Sequence, residues 1–111
     1  MPKDDTVRLR HMLDAAKEAV TFISNRSRSD LETDRGLVLS LQMLVIIVGE
    51  AAMQVSQARR DKIPQIPWKD VIGMRHRLTH AYMDVDLEVL WSTVIKDLPP
   101  LIKVLDGLVP K

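Results

Sequence analysis

An all-α, up-and-down bundle of four to five helices is the fold this chain predicts, and three observations point there. Apolar residues recur at three- and four-residue intervals over long stretches. No segment alternates strictly between apolar and polar, as a half-buried strand would. Apolar residues make up 46% of the chain and aromatic ones only 4%, so the core must be built from Leu, Val, Ile, Met and Ala. At 111 residues the chain is expected to be one domain, residues 1–111, with a core of modest size.

The first helix is predicted from Asp4 or Asp5, either of which can cap it, to about Asn25. Leu9, Met12, Leu13, Ala16, Ala19, Val20 and Ile23 form its apolar stripe, with His11 beside it as a surface histidine. The polar stretch Asn25–Asp30 reads as a turn. A second helix is predicted from between Asp30 and Asp34 to about Arg59, with Leu37, Val38, Leu41, Leu44, Val45, Val48, Ala52 and Val55 as its core side. Leu39, Met43, Ile46 and Ile47 add apolar surface on its other flanks. A helix apolar nearly all round needs cover on more than one side, and in so small a protein a subunit interface is the expected cover. Gly49 and Ala51–Ala52 permit close approach of another helix.

Pro64 and Pro67 break the helical pattern, and Pro67 suits the first turn of a third helix. That helix uses Trp68, Val71, Ile72 and Leu78 as apolar contacts and is expected to carry a cluster of chemistry through Tyr82. Met83–Val85 reads as a connection, and Asp86 as the cap of a fourth helix whose core side is Leu90, Trp91, Val94, Ile95 and Leu98. Pro99-Pro100 must kink or restart it, before a last helical piece over Leu101–Leu108.

Sixteen basic and fifteen acidic residues give a formal net charge of +1, so any anion binding must come from local clustering. The absence of cysteine excludes disulfides, thiolate catalysis and Cys-ligated metals. The N-terminus is charged, with no apolar leader, and the longest apolar run, Leu37–Val48, is too short to span a bilayer. A soluble, cytoplasmic protein without a membrane partner is expected.

The cluster is Met74–Tyr82, which sets Arg75, His76, Arg77, His80 and Tyr82 within nine residues. On a continuous helix Arg75 and Tyr82 lie roughly 20° apart, two turns along one face, whereas His80 lies about 140° from Arg75. Cations near a helix end also complement its dipole and free carbonyls, so spacing alone leaves a structural and a functional reading open. For Glu50, just after the apolar run, a surface acid and a supporting partner for an active-site cation both stand. Arg59, Arg60 and Lys62 read as a solvated basic turn rather than an RNA-binding rim.

From about Leu37 to Leu105 the sequence resembles the HEPN domains, and within them the HepT-type toxins. Ile47-Val48-Gly49-Glu50-Ala51-Ala52 is similar to the family's Gly-Glu-Ala segment, and Ile66–Arg75 to its run into the motif. Arg75-His76-x3-His80 matches the Arg-polar-x3-His signature, with His76 where asparagine is frequent, and Tyr82 matches the tyrosine two places on. Val85-Asp86-Leu87 and Trp91 continue the match; Met83-Asp84 departs from the usual Phe-Gly.

The resemblance implies a homodimeric, metal-independent endoribonuclease, the toxin of a type VII-like toxin–antitoxin pair. Its two Arg-x4-His motifs face each other across the dimer cleft. Arg75 would bind phosphate, His80 would transfer protons, and His76 would orient the substrate or assist. Tyr82 would be the acceptor of an adenylyl group added by a cognate minimal nucleotidyltransferase antitoxin. RNA is the implied substrate, and no cofactor or metal is expected. The alternative is a catalytically silent HEPN module that binds nucleotide or a nucleotidyltransferase partner.

Overall fold

The first amphipathic stripe becomes helix α1, Pro2–Phe22, and turns Leu9, Met12, Leu13, Ala16 and Ala19 into the core, leaving His11 exposed. The computed structural model describes residues 2–81 and 84–110, with all their side chains except those of Pro2, Lys3, Asp4, Arg75, Thr79, His80, Ala81 and Asp84. After α1 the chain reverses through Asn25, which holds a left-handed φ of 64°. That conformation is tolerated by asparagine and ends the helix earlier than periodicity predicts. A short helix α2, Asp30–Thr33, leads to α3, Arg35–Gln54. Asp34 caps α3 by accepting the Leu37 N–H at 3.0 Å.

All eight residues of the predicted α3 core stripe are buried, while Leu39, Met43 and Ile47 remain exposed. Gly49 is where α3 meets the next layer: a Cβ there would stand 3.2 Å from the Val71 carbonyl oxygen and 3.4 Å from that of Ile72. Its missing side chain lets the two backbones approach. The apolar run Leu37–Val48 lies within α3, a longer helix than that run. The helix has 20 residues and a mean hydropathy of 2.0 over its most apolar window, enough by length and composition to cross a membrane. Half of that window is buried inside the bundle, as the core helix of a folded domain requires.

The second predicted helix does not reach Arg59. Val55 turns extended and Ser56 starts a separate helix α4, Gln57–Asp61. The cause is a contact 51 residues away: the Asp5 carboxylate accepts the Ser56 N–H at 2.8 Å and its hydroxyl at 2.7 Å. These two bonds hold the Asp5 carboxyl below its ordinary pKa. Asp5 is therefore a tether for α4 rather than the cap of α1. Arg60 closes the broken end of α3 by donating to the carbonyls of Val55 and Met53, at 3.0 and 2.9 Å. It serves the fold and not an RNA-binding rim.

Ile63 and Ile66 anchor the proline-bounded link in the core, and the Trp68 indole N–H donates to the Ile63 carbonyl at 3.0 Å. Helix α5, Trp68–Ile72, ends at Gly73, and α6 covers only Met74–Leu78. A two-stranded antiparallel ladder follows, β1 (Thr79–Ala81) with β2 (Asp84–Val85), a small exception within an all-α bundle. Asp86 then caps α7, Leu87–Ser92, as predicted, accepting the Val89 N–H at 3.1 Å.

From Leu87 to Asp106 the helical path is unbroken, but Thr93–Asp97 winds as a π-helical turn before α8, Leu98–Asp106. Pro99 and Pro100 have no N–H to give, and the wider turn lets Leu98 donate to the Thr93 carbonyl instead. Ile95, expected in the core, is exposed, and Thr93 is buried with its hydroxyl donating to the Val89 carbonyl at 2.7 Å. The two long arms α1 and α3 pair most extensively, and α8 closes against α1, where Lys17 meets Asp106 at 2.9 Å.

Candidate functional site

The site is organised by where α6 stops. Met74 and Leu78, one turn apart, are buried and fix this short helix to the core. At about 100° per residue, that puts His76 on the outer side and the backbones of Arg75 and Arg77 on opposite flanks. Arg77 is accounted for on its flank. It lines a cavity of about 250 Å³ between α5–α6 and α8, with its guanidinium 3.9 Å from Asp97 and with Lys96 and Asp70 nearby. The Arg75 flank is therefore the one turned away from α8.

The helix ends because the Leu78 carbonyl accepts the Asp86 N–H at 2.7 Å. This bond turns the chain into the ladder, where Thr79 pairs with Val85 and Ala81 with Asp84 across an irregular register. His80 thus sits in β1, not on the helix that carries Arg75. The 140° separation expected on a straight helix does not apply, because the helix between the two residues has ended. The helix face on which Arg75 and Tyr82 were expected together ends at Leu78. Tyr82 itself lies outside the described residues, as do the side chains of Arg75 and His80.

His76 is exposed, with its backbone N–H donating to the Gly73 carbonyl at 3.0 Å. Glu50 stands in the middle of the outer face of α3, between Ile46, Ile47 and Gln54, and borders a depression of about 420 Å³ shared with Arg8 and His11 of α1. Among the described residues no group of three His, Cys, Asp or Glu side chains is placed to hold a metal ion.

Two further features flank the motif, the first anticipated from the sequence and the second not. The exposed apolar residues of α3 form a continuous face, with Met43 56% and Ile47 37% exposed, which Phe22 of α1 extends. On the ladder's side of that face runs a groove of about 680 Å³, lined by Arg35, Gln42, Met43 and Ile46 of α3 and by Val85 and Leu87. Only Gln42, an amide inside the apolar run Leu37–Val48, hinted at it in the sequence.

The chain was also compared with known proteins. The family model described as "Ribonuclease HepT-like" matches residues 12–108. The "Probable ribonuclease HepT" of Thermococcus cleftensis is 33% identical over 93 residues, covering 80% of this chain and 84% of that protein. A "Putative RNase" of Caldanaerobacter subterraneus subsp. tengcongensis is 29% identical over 103 residues, covering 93% and 92%. A "Putative RNase" of Methanocaldococcus jannaschii is 27% identical over 95 residues, covering 86% and 87%. No solved structure matches the chain significantly. The family match takes in α3, α6, the ladder and α8 together, and with them the whole Arg75–His80 motif: the chain belongs to the HepT-like ribonuclease family.

Proposed function

We propose that this protein is an endoribonuclease that cuts RNA without a metal ion, and that it is the toxin of a toxin–antitoxin pair. The observation that carries the reading is the intact Arg75-x4-His80 motif within the residues matched to a ribonuclease family. RNA brings its own nucleophile, the 2′-hydroxyl. His80 takes the proton from that hydroxyl as its oxygen bonds to phosphorus, and the bond from phosphorus to the 5′-oxygen breaks. Histidine suits the step because its ordinary pKa of about 6.5 allows both protonation states near neutrality. Arg75 holds the phosphate oxygens through two parallel N–H donors, a geometry lysine cannot copy. His76, exposed on the outer side of α6, orients the substrate or assists in proton transfer, and the leaving 5′-oxygen takes a proton from His76 or from water.

The proposed unit is a homodimer paired through the outer face of α3. The ladder's groove flanks one side of that face and α1 the other. Antiparallel pairing of two α3 helices about a two-fold axis across them puts both ladders on the same side, so the two motifs face one another. Parallel pairing would put them on opposite sides. Glu50 then lies inside the interface, where Arg8 and His11 border it and offset its charge. Purified protein is expected to cut single-stranded RNA in excess EDTA. Activity lost with the chelator and restored by one divalent ion would refute the metal-free mechanism.

Regulation is proposed at Tyr82. A nucleotidyltransferase partner would join the Tyr82 oxygen to the α-phosphorus of ATP, with release of pyrophosphate and a proton. The product sets a phosphate anion two residues from His80, where RNA phosphate must bind. Tyr82→Phe protein incubated with the partner and ATP should gain no adenylyl mass and continue to cut RNA. An equal mass gain in this variant, or an adduct mapped to another residue, would refute the assignment.

A further inference from the structure

We propose that the groove beside the ladder seats one unpaired adenine base of the RNA, read by Gln42, with Arg35 holding a neighbouring phosphate. The inference rests on the ribonuclease reading above and adds the base that reading leaves unspecified. Gln42 is half-buried in the groove wall, and its amide has no hydrogen-bond partner among the described residues. An amide without a protein partner is free to pair with a ligand in place of water, in a groove whose lining is as polar as it is apolar. Arg35, at the start of the same helix and on the same groove, has no ion-pair partner among the described residues. The nearest acid on the rim, Glu32, is engaged by Arg28 at 3.0 Å. Among the described residues the groove therefore offers a cation, Arg35, and a donor–acceptor pair, the Gln42 amide, beside the apolar side chains of Met43, Ile46 and Leu87.

Its position ties it to the motif. Val85 lines the groove and is the ladder partner of Thr79, the residue before His80. Paired strand Cα atoms lie about 4.5–5.5 Å apart and consecutive ones 3.8 Å, so the His80 backbone is within about 9 Å of the groove's edge. A nucleotide whose phosphate sits at the motif can lay its base in the groove.

An amide donates and accepts along one edge, which matches N6 and N7 of adenine. Adenine has no carbonyl to desolvate against Met43, Ile46 and Leu87, so those walls penalise it least among the bases. The base edge must be free, which requires a single strand.

The test uses full-length protein carrying His80→Ala, so that the RNA stays whole, and short fluorescent oligo(A), oligo(C) and oligo(U). Oligo(A) should bind more tightly than the others by on the order of tenfold. Gln42→Leu should erase that preference, with an unchanged helical spectrum confirming the fold. Arg35→Ala, an exposed change, should weaken all three oligomers alike and reduce the salt dependence by about one phosphate contact. Equal binding of the three, a preference that survives Gln42→Leu, or AMP competing as strongly as oligo(A) would overturn the assignment. An adenine preference that depends on Gln42, together with no cleavage by protein with His80 intact, would support the groove assignment and refute the ribonuclease reading.

Discussion

Replacing His80 by alanine is expected to lower RNA cleavage by about 10²–10⁴-fold, the usual contribution of a positioned proton-transfer group. The fold should be retained, because the apolar side chains from Leu9 to Val109 that make the core are unchanged in the variant. Arg75→Lys makes a second, graded case. It keeps the charge and removes the paired donors, so it should lose activity through the phosphate contact while remaining sensitive to pH through His80. Circular dichroism and thermal unfolding of each variant separate lost chemistry from lost structure. Full activity in well-folded His80→Ala protein would move the chemistry elsewhere in the chain.

The double change Met43→Glu with Ile47→Glu is expected to convert a dimer into a monomer at micromolar concentration. Both residues are exposed in the single chain, so the isolated fold has little reason to resist the substitution. In an antiparallel α3 pairing the new carboxylates would be buried beside Glu50 of each copy. Uncompensated charges in such an interface cost on the order of several kcal/mol. Cleavage should fall with the dimer, because facing motifs require both copies. Sedimentation that still shows a dimer of the double variant would place the interface on another surface.

The long arms were legible in the sequence because burial repeats at the helical period over many turns. Every residue of the predicted α3 core stripe is buried, and of those left over Leu39, Met43 and Ile47 are exposed and Ile46 is half-buried. Breaks set by distant contacts were not legible. Nothing local to Val55 and Ser56 announces that Asp5 will take the Ser56 N–H and end the run there. Strands of two or three residues are too short to show alternation, so β1 was hidden in what read as the tail of a helix and β2 in what read as a connection.

The π turn before Pro99 follows from the missing N–H groups, yet the sequence alone left a kink or a restart as the expected outcomes. Ile95 lies out and Thr93 in because a stripe through Leu90, Val94 and Leu98 leaves Ile95 about 140° from Leu90. The candidate site divides along the same line. Arg75 and His80 stood out by residue type and spacing, whereas their geometry depended on the Leu78–Asp86 hydrogen bond that ends α6.

The most direct measurement of the central claim is the chemistry of the cut ends. Attack by the 2′-hydroxyl, with His80 moving its proton and Arg75 holding the phosphate, leaves a 2′,3′-cyclic phosphate on one fragment and a 5′-hydroxyl on the other. Mass spectrometry of a defined single-stranded RNA, cut by the purified chain in EDTA and compared with His80→Ala protein, should find those ends and their loss in the variant. Fragments ending in 3′-hydroxyl and 5′-phosphate, or cyclic-phosphate ends produced equally by His80→Ala protein, would contradict the account.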